Sequence, residues 1–427
     1  TYEALAREFP AHPYADDALY LAADLRAQSG DVAGALERLE AVASRYPRGD
    51  FAGEALFKIF WLRHRADADS GGLEALARIE ERFADAPETY DVERSRYWRA
   101  RVLDGRGETA AALSLWEALA REHPATYYGL LARIRIAERT PGAAADLART
   151  SALPPAGGPL PLVEAGDLAG DPHFQAGAQL LSLGFADAAA EELLSVRRDD
   201  RPRDATRVLV AAIARSGDFR AAQALARTEL RWALTGRVTP ELRDVWDAAF
   251  PRAYRELVER FCKSTRVDPD LLQALMREES ALDPRALSWA GALGLTQLML
   301  STAQAVARDL RLQKPSAEGL LEPGLNIQIG AAYLGRLLAR FGGNAVYALA
   351  SYNAGASAVE RWRSSRSGLE LDAFVEEIPL TETRGYVKRV LRSYNAYRLL
   401  DGRPLLTALL EEPPARAAEA RAEPRAR

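Results

Sequence analysis

Tyr20, Gly30, Ala35 and Pro47 return as Tyr97, Gly107, Ala112 and Pro124, every one of them 77 residues further on. A more degenerate unit lies between, with RYP at 45–47 echoed by RFA 37 positions later. The underlying period is about 37 to 40 residues, the range of stacked helix pairs. Each unit reads as a helix, a glycine-containing turn (AQSGD, DGRGE) and a second amphipathic helix (VAGALERLEAVASRY, TAAALSLWEALAREH). One such hairpin cannot bury its apolar face alone, whereas stacked neighbours share a continuous core. A degenerate tetratricopeptide-like array over residues 1–140 is the expectation.

Residues 141–172 change character. Six prolines and paired glycines in PGAAADLARTSALPPAGGPLPLVEAGDLAGDP predict a linker or an irregular wrap. Helix pairs resume over 173–248, where SLGFADAAAEELL and RSGDFRAAQALA align at Gly184 and Gly217. From Phe250 the pattern becomes non-repeating helices with glycine-rich loops, predicting a separate domain over 250–402. Residues 403–427 carry proline and mixed charge and are expected to be disordered. No segment alternates apolar and polar residues over a strand's length, so the chain reads as all-α or mainly α.

Composition narrows the function. Apolar residues make up 48% and charged residues 27%, the balance of a protein with a sizeable core. A net charge of −4 lacks the basic excess of a nucleic-acid binder. No window of eighteen apolar residues is present to predict a transmembrane segment. The four histidines, His12, His64, His123 and His173, all lie in the first part, and Cys262 is the single cysteine. Serine–histidine, cysteine–histidine and histidine–zinc chemistry are thereby unexpected in the second half, and no metal or other cofactor is called for. The chain starts directly in a helical pattern without a signal region, which leaves its compartment unread.

The stretch LLQALMREESALDP then stands out. At about 100° per residue, with Leu271 at 0°, Leu275, Leu272 and Met276 fall near roughly 40°, 100° and 140°. Glu279 falls near about 80°, within that apolar face, and Glu278 near about 340°, on its margin and so expected as a marginal surface group, with Gln273 and Arg277 opposite. The helix is expected over 270–281, with Asp283 and Pro284 opening the next helical turn. A carboxyl aimed into apolar surroundings holds its proton, as a general acid requires. Buried glutamates are more often partnered by arginine or backbone donors, so the helix alone leaves both readings open. The following loop, SWAGALGLTQLM, adds Gly291 and Gly294 for close backbone approach and the Gln297 amide for a polar ligand.

Four stretches resemble the soluble lytic transglycosylases of bacterial cell-wall metabolism. They are VDPDLLQALMREESALDP, SWAGALGLTQLMLSTA, ALASYNAGASAVERW and EEIPLTETRGYVKRVLRSY, in that order. YYGLLAR at 127–133 is similar to the region that precedes the catalytic domain in larger members. The resemblance implies a helix-pair superhelix followed by a lysozyme-like, mostly helical catalytic domain. It implies cleavage of the β-1,4 bond between N-acetylmuramic acid and N-acetylglucosamine in peptidoglycan glycan strands without water. Glu279 would act as acid and then base, closing a 1,6-anhydro ring. Ser288, Gln297, Met299, Tyr352 and Asn353 would line the sugar groove, with Glu382 beside them. Arg384 and Tyr386 fall in the last motif, and Asp283 is assigned to capping. A periplasmic location is implied, and the repeats would hold the glycan or dock other cell-wall proteins. Thr296 and Leu300 depart from the family, which usually has Met and Pro there. A hydrolytic muramidase, or a non-catalytic glycan-binding scaffold, is the competing reading.

Overall fold

The structure is a computed structural model describing residues 2–66, 69–86, 89–140, 142, 162–198, 201–404 and 406–410. It divides into two compact units, residues 1–123 and 124–427.

In the first unit, Ala15–Gln28 packs on Val32–Arg45, Ala52–Arg65 on Asp69–Arg82, and Tyr90–Gly105 on Thr109–Glu122. The repeated positions do the same work in each pair. Gly30 and Gly107 take positive φ (88° and 84°), the left-handed step that reverses the chain between helices. Ala35 and Ala112 are fully buried on the second helix of their pairs, and Tyr20 and Tyr97 are buried on the first. Asp31 caps Val32–Arg45 by accepting from the Gly34 amide at 2.9 Å. Trp61 and Trp98 pack edge to face, centroids 4.8 Å apart.

The second unit opens with Tyr127–Arg139, buried from Tyr127 through Ile136. Periodicity predicts an array running to residue 140, but the first compact unit ends at His123 and this helix packs on the long helix Thr381–Leu400. Its polar groups explain the allegiance. The Tyr128 hydroxyl donates to Glu376 Oε1 at 2.8 Å, Lys388 Nζ donates to Glu376 Oε2 at 2.8 Å, and Arg135 Nη2 donates to Asp372 Oδ2 at 2.7 Å. Buried charges persist only where opposite charges meet them, and these partners lie in the C-terminal part.

Most of the expected proline-rich linker, residues 141 and 143–161, lies outside the described residues. Its end, Leu162–Gly170, is a 3-10 run whose Ala165 and Leu168 join the core of the second array. That array pairs Pro172–Ser182 with Ala186–Ser195 and Arg203–Arg215 with Phe219–Glu229. Gly184 and Gly217 repeat the positive-φ turn at 81° and 84°. From Arg255 onward the α-helices are Arg255–Thr265, Pro269–Ser280, Leu300–Asp309, Pro323–Arg340, Ala345–Ala354, Ala356–Ser365, Leu371–Glu376 and Thr381–Leu400. Among the described residues the only sheet is an antiparallel ribbon pairing Ala292 with Met299 and Leu293 with Leu298. The mainly α class is therefore observed. Of the expected tail, residues 405 and 411–427 lie outside the described residues, while Thr407–Leu410 forms a 3-10 turn with Leu409 buried. No helix among the described residues is long and apolar enough to cross a membrane.

Candidate active site

The glutamate helix is Pro269–Ser280, one residue earlier at each end than periodicity predicts. Asp268 caps it, accepting from the Asp270 amide at 2.9 Å, and Pro269 takes the first position. Ala281 and Leu282, at φ 51° and 65°, stop it before Pro284 is reached. Asp283 caps a turn rather than a helix: Oδ1 accepts from the Arg285 amide at 2.8 Å and Oδ2 from Arg220 Nη1 at 3.3 Å.

The helix is buried on more sides than its apolar stripe. Gln273 is fully buried and donates to Ala253 O at 3.1 Å, and Arg277 donates to Ala249 O at 2.8 Å with its guanidinium 4.3 Å over the Phe250 ring. Glu278 is therefore no surface group, its side chain being only 10% exposed. Arg277 Nη1 and the Ser393 hydroxyl (2.6 Å) both donate to Glu278 Oε1, and Arg389 Nε lies 3.6 Å from Oε2. Burial favours the neutral form of Glu278, but Arg277, Ser393 and Arg389 outweigh it and hold the carboxyl below its usual range.

Its neighbour is in the opposite state. Burial pushes the Glu279 carboxyl up to about 7, only partly offset by a 2.6 Å hydrogen bond from the Tyr386 hydroxyl; the negative charge of Glu278 adds to the rise. Tyr386 is itself buried, which together with Glu279 keeps its phenol protonated and donating. Two successive carboxyls thus differ in protonation near neutral pH, the signature of an assigned acid.

The loop beyond is built around Ser280 and Asn326. The single hydrogen of Ser280 Oγ is shared between Met276 O at 3.0 Å and Leu295 O at 2.9 Å, tying helix to loop. Asn326, fully buried, accepts from the Thr296 amide (2.9 Å) and hydroxyl (2.7 Å) through Oδ1. Its Nδ2 donates to Leu293 O (3.0 Å) and Leu320 O (2.8 Å). Gly294, at φ 71°, sits so close that a Cβ would lie 2.4 Å from Leu320 O. Thr296 is thus held by Asn326, and Gly330 leaves the room for its side chain. Asn326→Ala would take the amide partner from all four of those groups. It should cost about 3 kcal/mol, read as a lower urea midpoint at unchanged slope; a loss below about 1 kcal/mol would mean that water or loop rearrangement replaces the amide.

The expected groove residues fall around this frame. Ser288 Oγ accepts from the Ala292 amide at 2.9 Å, closing the turn that carries Gly291 at φ 85°. Gln297, at φ 46°, donates from Nε2 to Gly294 O (2.8 Å) and Ala286 O (3.2 Å), which leaves its Oε1 without a protein partner among the described residues. Met299 is 45% exposed at the ribbon's end. The Tyr352 hydroxyl donates to Thr296 O at 2.8 Å, and Asn353 Oδ1 accepts from Thr383 Oγ1 at 2.5 Å. Glu382 is exposed one turn before Tyr386, its charge adding to the rise at Glu279. Arg384 donates to Glu376 O at 3.3 Å, turned to the scaffold. Sequence reasoning missed Asn326, Arg389 and Ser393. The spacing 382, 386, 389, 393 is one helical stripe and was the available signal.

A helical domain that carries a two-stranded ribbon and a desolvated helix-borne carboxyl, preceded in the chain by helix pairs, defines a lysozyme-like architecture with a repeat region. Residues 256–375 match the family described as the transglycosylase SLT domain. The soluble lytic murein transglycosylase of Escherichia coli (strain K12) is 31% identical over 314 residues, 73% of this chain and 44% of that protein. A putative soluble lytic murein transglycosylase of Haemophilus influenzae is 38% identical over 162 residues, covering 37% of this chain and 27% of its own. The lytic transglycosylase Slt of Pseudomonas aeruginosa, solved as an inactive mutant, superposes with a TM-score of 0.67 at 25% identity, over 92% of this chain and 59% of that one. The 70 kDa soluble lytic transglycosylase of E. coli shares the fold at a TM-score of 0.61 and 21% identity, over 93% of this chain and 65% of its own. The chain thus carries a transglycosylase SLT domain and has soluble lytic murein transglycosylases as homologues, while spanning less than half the length of the E. coli relative.

Proposed function

We propose that this chain is a peptidoglycan lytic transglycosylase whose catalytic part is residues 250–402. The observation that carries the reading is Glu279, a desolvated carboxyl with a pKa raised to about 7 and gripped by one phenol, on the helix that leads into the Ser288–Met299 loop. Protonated Glu279 donates to the glycosidic oxygen, O4, which links muramoyl C1 to the glucosamine C4. The C1–O bond breaks, positive charge develops at C1, and N-acetylglucosamine leaves with the proton. The Glu279 carboxylate then takes the proton of the muramoyl C6 hydroxyl while O6 bonds to C1, closing the 1,6-anhydro ring and restoring the acid. One carboxyl serves both steps, in contrast to the usual glycosidase pair.

Two features support the single-carboxyl account. Asp283 is engaged by the Arg285 amide and by Arg220, and Glu278 is bound up with Arg277 and Ser393. In this reading Ser288, Gln297, Met299, Tyr352, Asn353 and Glu382 line the groove, the free Oε1 of Gln297 accepting from a sugar amide or hydroxyl. The substrate places the protein in the periplasm, and the helix pairs hold the glycan strand.

Digestion of purified peptidoglycan, followed by mass spectrometry of the soluble fragments, tests this. The expected products are lighter by one water than their hydrolytic counterparts. Reducing-end products would instead establish a muramidase, and binding without release would establish a scaffold.

A further inference from the structure

A pocket of about 600 Å³ opens between the helices Leu300–Asp309 and Pro323–Arg340. None of the groove residues named above lines it. Its floor is apolar, with Val306 and Leu337, and its walls carry Ser301, Thr302, Tyr333, Arg336 and Arg340.

The polar atoms of those walls are underused. The hydroxyls of Ser301, Thr302 and Tyr333 have no protein partner among the described residues. Arg336 spends Nη1 on Asp309 at 2.7 Å and Nη2 on Val306 O at 3.4 Å. Arg340 spends only Nε, on Glu360 at 2.8 Å, and keeps both terminal nitrogens. The two guanidiniums stand one turn apart on one helix, each held by its own acid, and Arg340 still presents the N–H donors of its two unused terminal nitrogens. Leu300–Asp309 also begins without a side-chain cap, since Met299 holds the cap position and Leu300 the first turn. Hydrogen-bond donors and two cations above an aliphatic floor suit a carboxylate attached to small apolar groups.

The pocket adjoins the site. The Tyr333 ring lies 5.1 Å from that of Tyr352, whose hydroxyl bonds the Thr296 carbonyl of the loop. Its first wall residue, Ser301, follows the exposed Met299 by two positions. Peptidoglycan supplies the matching group: muramic acid bears a short peptide rich in alanine and carboxylates on its lactyl arm.

We infer that this pocket binds a carboxylate of the muramoyl peptide stem, an assignment that rests on the transglycosylase reading. Arg340→Ala is the test, assayed on glycan strands that keep their stems and on the same strands stripped by an amidase. On stem-bearing strands kcat/KM should fall about tenfold, the weight of one charge-assisted contact, and on stripped strands it should not change. Equal loss on both substrates, or no loss on either, overturns the assignment. If the wild-type protein cleaves neither substrate, the transglycosylase reading fails. The pocket is then decided by calorimetric titration of the isolated tetrapeptide stem. Binding that Arg340→Ala abolishes upholds it, and absence of binding refutes it.

Discussion

Glu279→Gln is expected to stop glycan cleavage while leaving the chain folded. The substitution keeps the shape of the side chain and an oxygen to accept from Tyr386, but removes the proton that both steps use. Release of soluble anhydro fragments should fall by on the order of 10³-fold or more, at the upper end of what one general acid contributes. The variant should also be the more stable protein above neutral pH. The folded-state pKa near 7 stands above the ordinary 4.5, so the folded state binds the extra proton between those values and wild-type stability falls as pH rises through that window. At pH 8 the substituted amide avoids a buried charge worth on the order of 2–3 kcal/mol, and below about pH 4.5 the difference disappears. Unfolding midpoints of the two proteins at pH 4 and pH 8 check this. Equal stability at pH 8 would mean that Glu279 is not desolvated, and retained cleavage would remove it from the chemistry.

The second large effect is expected at Tyr386→Phe, which deletes the donor at 2.6 Å and leaves the ring in place. That hydrogen bond favours the ionised carboxyl, so its loss should raise the Glu279 pKa further. Wild-type activity should decline as pH rises through about 7 and the acid loses its proton; in the variant the decline should begin about one unit higher. The plateau should drop about 10- to 100-fold, because a carboxyl free to rotate meets the glycosidic oxygen less often in line. A lower plateau with an unmoved pH limb would assign Tyr386 to packing alone.

Much of the architecture was legible before any coordinates. The 77-residue recurrence of tyrosine, glycine and alanine corresponds to buried ring, left-handed turn and helix contact in each pair, because each residue type answers a local steric demand. The Ser288–Met299 loop and the apolar setting of Glu279 were legible for the same reason. Tyr127–Arg139 was not: nothing in its periodicity tells which partner covers a helix buried all round, and the buried acids Glu376 and Asp372 that decide it lie more than 230 residues away. Glu278 was misplaced by the same limitation. Helical angles sort residues relative to one apolar face, but Gln273 and Arg277 are buried by backbone carbonyls of residues 253 and 249, which no angle reveals.

Order along the chain therefore specifies the helix pairs, the turns between them and the glutamate set among leucines, since these follow from neighbours within a few residues. The difference in protonation between Glu278 and Glu279 belongs to the packed molecule. Ser393 and Tyr386 arrive on one helix from more than 100 residues away, one to a carboxylate also held by arginine, the other to a carboxyl that burial keeps protonated. Charge state depends on the dielectric and the partners that surround a group in space, and those exist only once the distant helix has docked.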